Sequence, residues 1–570
     1  MIIERDVGIP SDDGLVLRAD IFRPDDDKPA PVIMTQGPYG KGVEYKSGPY
    51  ARQWEWLLTT HPDILPNSTK SYMTWETVDP ELWTAWGYVC IRVDSRGSGR
   101  TPGFLDVYSP RETKDFYEAI EWAARQPWST GKVGLLGISY YAISQWLVAS
   151  LQPPHLAAII PWEGAADYYR DKSRHGGIAS IDFVDKWYKR QVLSNQHGNP
   201  RGQMDPWLKE LATGPEQLSE DELAANRGDP ASSFLNHPLV DEYYRGRSAD
   251  WSKVTVPFLS AANLGGFGLH GRGNYEAFNR AASTKKWLEI HPGRHEEWFY
   301  LDEKMKMQRQ FLDHFLKGID NGWDQEAPVL LHLRRPFSTE FELRREPEWP
   351  LRSTRWTNIY FEASKKALPW QFPIQQSSIA FEALGEPLTF MSAPLSEETE
   401  ITGPLAAKLF ISSSTSDADF FVTLQAFSPD GREVDFPGSI DPRTPLAQGW
   451  LRASHRKLDT KLTLPYRPYH THDEIQPLEP GKIYELDIEI WPTQIILPAG
   501  FRISLQIGGK DFERPLPPDA PTGEWVARGS GPWLHNHPED RPADVFGGTT
   551  TIYTGGATGS FLLLPVIARH

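Results

Sequence analysis

Six short runs of apolar residues punctuate the first half of the chain: Pro31 to Thr35, Tyr88 to Val93, Val133 to Ile138, Ala157 to Ile160, Pro257 to Ala261 and Trp287 to Ile290. None alternates in polarity, as expected of strands covered on both faces. Helical patterns lie between several of them. Ser109-Pro110-Arg111-Glu112 predicts a helix start, with Ser109 as cap and Pro110 in the first turn. It is followed by Phe116, Ala119, Ile120, Trp122 and Ala123 at helical spacing. Further helices are expected from Tyr140 to about Ser150 and from Asp302 to Leu316, the latter ended by Lys317-Gly318. Strands alternating with helices imply a mostly parallel sheet with right-handed crossovers. Leu15 to Phe22 alternates in polarity after a Ser-Asp-Asp-Gly turn and predicts a half-exposed edge strand.

The pattern changes twice. From Asp171 to Asp250 polar, helix-compatible segments such as Gln217 to Asn226 interrupt the alternation and suggest an inserted cap. From Ala327 onward helical periodicity gives way to alternating strands, among them Lys408 to Ser412, Phe420 to Gln425, Tyr484 to Trp491 and Arg502 to Ile507, between Pro- and Gly-rich turns. That pattern is an antiparallel sandwich. The expected organisation is an α/β core over residues 1–170 and 251–326, a helical cap over 171–250, and an all-β domain over 327–570. A chain of 570 residues has room for these units.

Composition narrows the partners. A formal net charge of −16 argues against a surface that tracks nucleic-acid phosphates. The N-terminus lacks a signal pattern and no run of about 18 apolar residues occurs, so neither export nor membrane insertion is expected, and the chain is read as cytoplasmic. The single cysteine, Cys90, sits in an apolar strand pattern and suits a reducing compartment.

Candidate chemistry lies where the third of the six runs ends. Val133-Gly134-Leu135-Leu136-Gly137-Ile138-Ser139-Tyr140-Tyr141 is a strand running through Gly-x-Ser into an amphipathic helix, the context of a nucleophile elbow. Gly137 relieves crowding there, and the helix N-terminus favours developing negative charge. Tyr141 stands where a second glycine is usual. The backbone N–H of Tyr140, the residue after the nucleophile, is an oxyanion donor.

Gly-Ile-Ser-Tyr-Tyr-Ala-Ile-Ser-Gln-Trp from Gly137, Gly37-Pro38-Tyr39, Asp94-Ser95-Arg96-Gly97-Ser98-Gly99, His291-Pro292-Gly293-Arg294-His295, Leu451 to Arg456 and Pro498 to Ile503 together resemble segments of the cocaine esterase and X-prolyl dipeptidyl peptidase family of serine hydrolases. The resemblance implies an α/β-hydrolase core with a C-terminal jelly roll, acting through an acyl-enzyme on Ser139 against a small-molecule ester or amide, with no cofactor. It assigns the base to His295, with His291 the rival, and the second oxyanion donor to the Tyr39 hydroxyl. Tyr141, Trp162 and Trp187 are candidates for the substrate pocket; Trp146 and Tyr188 are weaker ones.

The acid departs from the family pattern. Gly266 stands where relatives carry an Asp, and no carboxylate occurs between Asp250 and Glu276. Some α/β-hydrolases place the acid one strand earlier, which nominates Glu163, with Glu276, Asp167 or an unsupported Ser-His dyad as alternatives. His470/His472 and His535/His537 have metal-ligand spacing but stand in Pro-rich loops and are expected at the surface, holding no metal. Asp94 and Arg96 are expected in structural ion pairing, since the Gly-Lys-Ser/Thr element of a phosphate loop is absent. Acyl transfer or ring closure by the same serine, and non-catalytic carbohydrate binding, remain competing functions. A homo-oligomer is compatible with the sandwich domain.

Overall fold

The structure is a computed structural model and describes residues 1–26, 28–515 and 528–568. Ten strands build the N-terminal sheet: β1 Ile2–Pro10, β2 Val16–Arg23, β3 Ala30–Gly37, β4 Val89–Asp94, β5 Ser129–Ile138, β6 Leu156–Trp162, β7 Phe258–Asn263, β8 Lys286–His291, β9 Val329–Leu333 and β10 Glu342–Glu346. Their spatial order is β1-β2-β4-β3-β5-β6-β7-β8-β9-β10. Strands β3 to β9 pair in parallel, and β1, β2 and β10 close the edges antiparallel. The sheet thus takes in two strands beyond residue 326, where the sequence pattern placed the end of the core.

The runs became strands because helices bury both faces. Helix α1, Pro110–Ala124, starts at the Ser109 cap, whose hydroxyl accepts from the Glu112 N–H at 3.2 Å, and buries Phe116, Ala119, Ile120 and Ala123. Helix α2, Tyr140–Ala149, follows β5 directly and is buried almost all round. Asp302–Lys317 ends at Gly318, which is left-handed as expected. Cys90 is buried in β4. Asp94 accepts from the N–H groups of Lys41 and Arg100, and Arg96 pairs with Asp115 at 2.8 Å, so both are structural but with other partners.

The cap opens with a π-helical turn, Tyr168–Ser173, then a hairpin, Arg174–His175 with Ile178–Ala179, and helix α3, Asp182–Trp187. The C-terminal domain is strand-rich, of the sandwich class, with Thr399–Ser413 paired along nearly all of Tyr484–Leu497. Its core, including Leu409, Phe420, Ile488, Leu505 and Leu562, is separate from that of the sheet. Among the described residues no helix is long and apolar enough to cross a membrane.

Candidate active site

Five neighbouring strand ends converge at one edge of the sheet. Tyr39 follows β3, Ser139 follows β5, Glu163 follows β6, His270 lies in the loop after β7 and His295 in the loop after β8. Ser139 has φ 56° and ψ −109°, a conformation L-residues rarely adopt. It is held by its N–H to the Trp162 carbonyl at 3.0 Å and by the start of α2 at its C-terminal side. Gly137 allows the turn, because a Cβ there would lie 2.6 Å from the Tyr141 Cβ. Glu163 (φ 53°) and Glu76 (φ 61°) are similarly strained. Such outliers persist only where surrounding structure holds them, and three meet here.

The imidazole at the nucleophile is that of His270: its Nε2 is 2.9 Å from Ser139 Oγ. His295, expected there, instead lies between two carboxylates, with Nδ1 2.7 Å from Glu163 Oε2 and Nε2 2.8 Å from Glu76 Oε1. The reason is topological. His270 comes from β7 and His295 from β8, one strand spacing of roughly 4.8 Å further from β5. The two rings stack at 4.8 Å between centroids. His291 bonds Glu289 at 2.6 Å and stacks on Trp162, behind the site. Sequence reasoning does not single out His270, because the loop after β7 lacks the acid usual at Gly266 and so carries no familiar catalytic pattern. The available signal was a histidine four residues further on, in a loop at the right edge of the sheet.

Glu163 is fully buried and is the hub of the site. Its Oε1 accepts from Asn263 Nδ2 at 2.9 Å, and its Oε2 accepts from the Ser439 hydroxyl at 2.9 Å as well as facing His295. His270 Nδ1 is 3.8 Å from the same Oε2 and has no hydrogen-bond partner among the described residues. Ser439 comes from the C-terminal domain. Its approach depends on Gly265, where a Cβ would lie 2.2 Å from the Gly438 Cα. The other acids nominated from sequence lie elsewhere: Glu276 pairs with Arg467 and Arg280, and Asp167 with Arg170.

Charge follows this geometry. Burial alone raises the Glu163 carboxyl, but His295 and His291 outweigh it and hold the group well below the usual carboxylate range. Burial would likewise lower His295, yet Glu163 and Glu76 raise it well above an ordinary histidine. His270 is pushed down to about 3, by burial first and by His295 second. The ring touching Ser139 is therefore neutral, as a proton acceptor must be, while its stacked neighbour carries charge.

The Tyr39 hydroxyl accepts from Trp187 Nε1 at 3.1 Å, leaving its own proton to donate. Burial and then Glu76 raise this phenol well above its ordinary value, so it stays protonated. The Tyr140 N–H is in the first turn of α2, where no intrahelical carbonyl can accept it. Tyr140 Oη donates to Glu112, which burial pushes up to about 7. Tyr141 packs edge-on against Tyr39, whereas Trp162 is fully buried and stacks on His291. Trp146 is core, against Trp251 and Phe258, and Tyr188 donates to the Gly228 carbonyl in the cap.

Glu163, His270 and His295 are, among the described residues, the one group whose ligand atoms lie close enough, within 4.8 Å, to hold a metal ion. His470, His472 and His535 are buried, not at the surface as expected, because the loops carrying them fold under the cap hairpin. His472 packs on Tyr169, and His535 Nε2 is 2.7 Å from His175 Nδ1.

Comparison with known proteins agrees with this architecture. Residues 13–297 match the X-Pro dipeptidyl-peptidase (S15 family) model, and residues 321–562 match the X-Pro dipeptidyl-peptidase C-terminal non-catalytic domain. The chain is 27% identical over 529 residues to a putative serine esterase of Mycobacterium bovis, covering 77% of this chain and 81% of that one. It is 23% identical over 649 residues to the cocaine esterase of a Rhodococcus species, covering 100% and 99%. A crystal structure of a CocE/NonD family hydrolase from Staphylococcus aureus superposes with a TM-score of 0.84 at 30% identity, covering 100% of this chain and 94% of the other.

Proposed function

This chain belongs to the X-Pro dipeptidyl-peptidase (S15) family of serine hydrolases, and from that premise we propose that it cleaves a small-molecule ester or amide through an acyl-enzyme on Ser139. The observation carrying this reading is the 2.9 Å bond between Ser139 Oγ and His270 Nε2 at a strained elbow. Ser139 Oγ attacks the carbonyl carbon as His270 Nε2 takes its proton. The carbonyl oxygen becomes an oxyanion that receives the Tyr140 N–H and the Tyr39 hydroxyl proton. Collapse expels the alcohol or amine with the proton from His270. Water then repeats the sequence on the ester of Ser139 and releases the acid.

Glu163 serves both imidazoles in this scheme. It anchors His295 at rest and, 3.8 Å from His270 Nδ1, stabilises that ring once it becomes imidazolium. A fluorophosphonate should label the wild type covalently and leave Ser139→Ala unlabelled; an adduct on the variant would end the assignment. Tyr39→Phe should remain folded and lose about 100- to 1,000-fold in kcat. Near-wild-type turnover would remove its hydroxyl from the oxyanion site. Transfer of the acyl group to an amine or alcohol is the second reading, favoured by an enclosed nucleophile, with Ser139 only 9% exposed. Product analysis with and without added acceptor separates the two.

A further inference from the structure

Lys172 is a buried amine with no acid paired to it among the described residues. It lies in the cap's π-helical turn, is 4% exposed, and its Nζ makes no hydrogen bond or ion pair among the described residues. Aromatic faces surround it instead: Nζ is 4.1 Å from the Tyr108 ring centroid, 4.4 Å from that of Trp187 and 5.4 Å from that of Tyr168. Two of these rings touch the site already described. Tyr108 stacks on Tyr140 at 4.1 Å, and Trp187 holds the Tyr39 hydroxyl. The acid that acts on it electrostatically, Glu112, already accepts from the Tyr140 hydroxyl and from the Tyr108 N–H at 2.6 Å.

Ring faces replace only part of the hydration an ammonium loses on burial. An amine left in this state offers its hydrogen-bonding capacity to any anion that reaches it, and two of the rings it faces, Tyr108 and Trp187, touch the two residues that carry the oxyanion donors. We infer that Lys172 recognises an anionic group, such as a carboxylate, on the substrate hydrolysed at Ser139, so that the preferred substrate class is acidic esters or amides. This inference rests on the proposed function and names the substrate class of the same site. Burial holds the free amine well below an ordinary lysine, so an arriving carboxylate would also bring it to full charge.

The test compares kcat/KM for phenyl butyrate with that for phenyl hydrogen glutarate, which puts the charge on the acyl side, and for 4-carboxyphenyl butyrate, which puts it on the alcohol side. In the wild type one charged ester should be preferred by at least about tenfold, the lower end of a charge-assisted hydrogen bond. In Lys172→Met that anionic-to-neutral ratio should fall at least tenfold. Competition gives a readout that does not depend on the variant folding: glutarate should inhibit phenyl butyrate turnover by the wild type at lower concentration than glutaramide. A wild type without preference for either charged ester, an unchanged ratio in Lys172→Met, or equal inhibition by the two competitors would overturn the inference. Failure to turn over any of the three esters would instead overturn the esterase reading on which it rests.

Discussion

Two groups of buried histidines sit in this protein, and their neighbours hold them in opposite charge states. At the nucleophile, His291 and His295 face Glu289, Glu163 and Glu76, and both are raised despite burial. Where the cap hairpin meets the β domain, His455, His470 and His472 pack against one another and His175 against His535, near Arg170, Arg174, Arg272 and Arg452. Burial and then these cations or neighbouring imidazoles push His455 and His470 down to about 3 and His175 and His472 well below their ordinary value. Burial alone makes a histidine neutral; a carboxylate within hydrogen-bond range reverses it. His270 tests the rule inside the first group. It is 3.8 Å from Glu163 Oε2, where His295 is at 2.7 Å, and it stays neutral. The imidazole that escapes the carboxylate is the one that can accept the Ser139 proton.

The strongest way to break this comparison is to remove each side of the first group in turn. His270→Ala should lower kcat by about 10,000-fold or more, as loss of the general base does when nucleophile and base act as a unit. His295→Ala should cost less, and Glu163→Gln, which removes the negative charge that faces both rings, should fall between them. Steady-state kinetics on a chromogenic ester reads all three. If His295→Ala proved the more damaging, the base would pass to His295. The wild-type acid limb of kcat/KM should also lie below about pH 5, because a depressed His270 remains a free base there; a limb near 6.5 would contradict the burial argument.

A smaller effect is expected at the second group. These histidines are depressed in the folded state, so the unfolded chain binds more protons. Their contribution to stability is complete above about pH 6.5 and is lost as pH falls toward 3, at up to about 1.4 kcal/mol per pH unit for each group. The thermal midpoint should drop by several degrees between pH 7 and pH 5. The double variant His455→Gln/His472→Gln, which removes the 3.0 Å Nδ1 to Nδ1 contact, should show a flatter profile. Identical slopes would place the acid sensitivity elsewhere.

The smallest expected effect is none at all. Treatment with EDTA should leave turnover unchanged, because in the proposed mechanism His270 carries the proton while Glu163 and His295 pair with each other, and no step calls for a metal. Activity lost to chelation and restored by zinc would convert the site to metal chemistry.

Much of this was legible in one dimension. Apolar runs and helical spacing are local properties, so the six inner strands, the Ser109-capped helix and the switch to alternating strands near residue 327 could be read directly. The elbow at Ser139 was equally local, since a strand, a tight turn and a helix start adjoin in sequence. The position of Glu163 after β6 followed from strand order. The partner of Ser139 did not, because choosing between His270 and His295 requires knowing how far each loop reaches across the sheet. Nor could the sequence show that Ser439, some 276 positions away, would donate to Glu163, or that His472 and His535 would be buried. Those outcomes depend on one domain packing against another, and on which charges packing brings within about 3 Å. Electrostatic interaction changes steeply over such distances in a buried site, whereas separation along the chain says nothing about them.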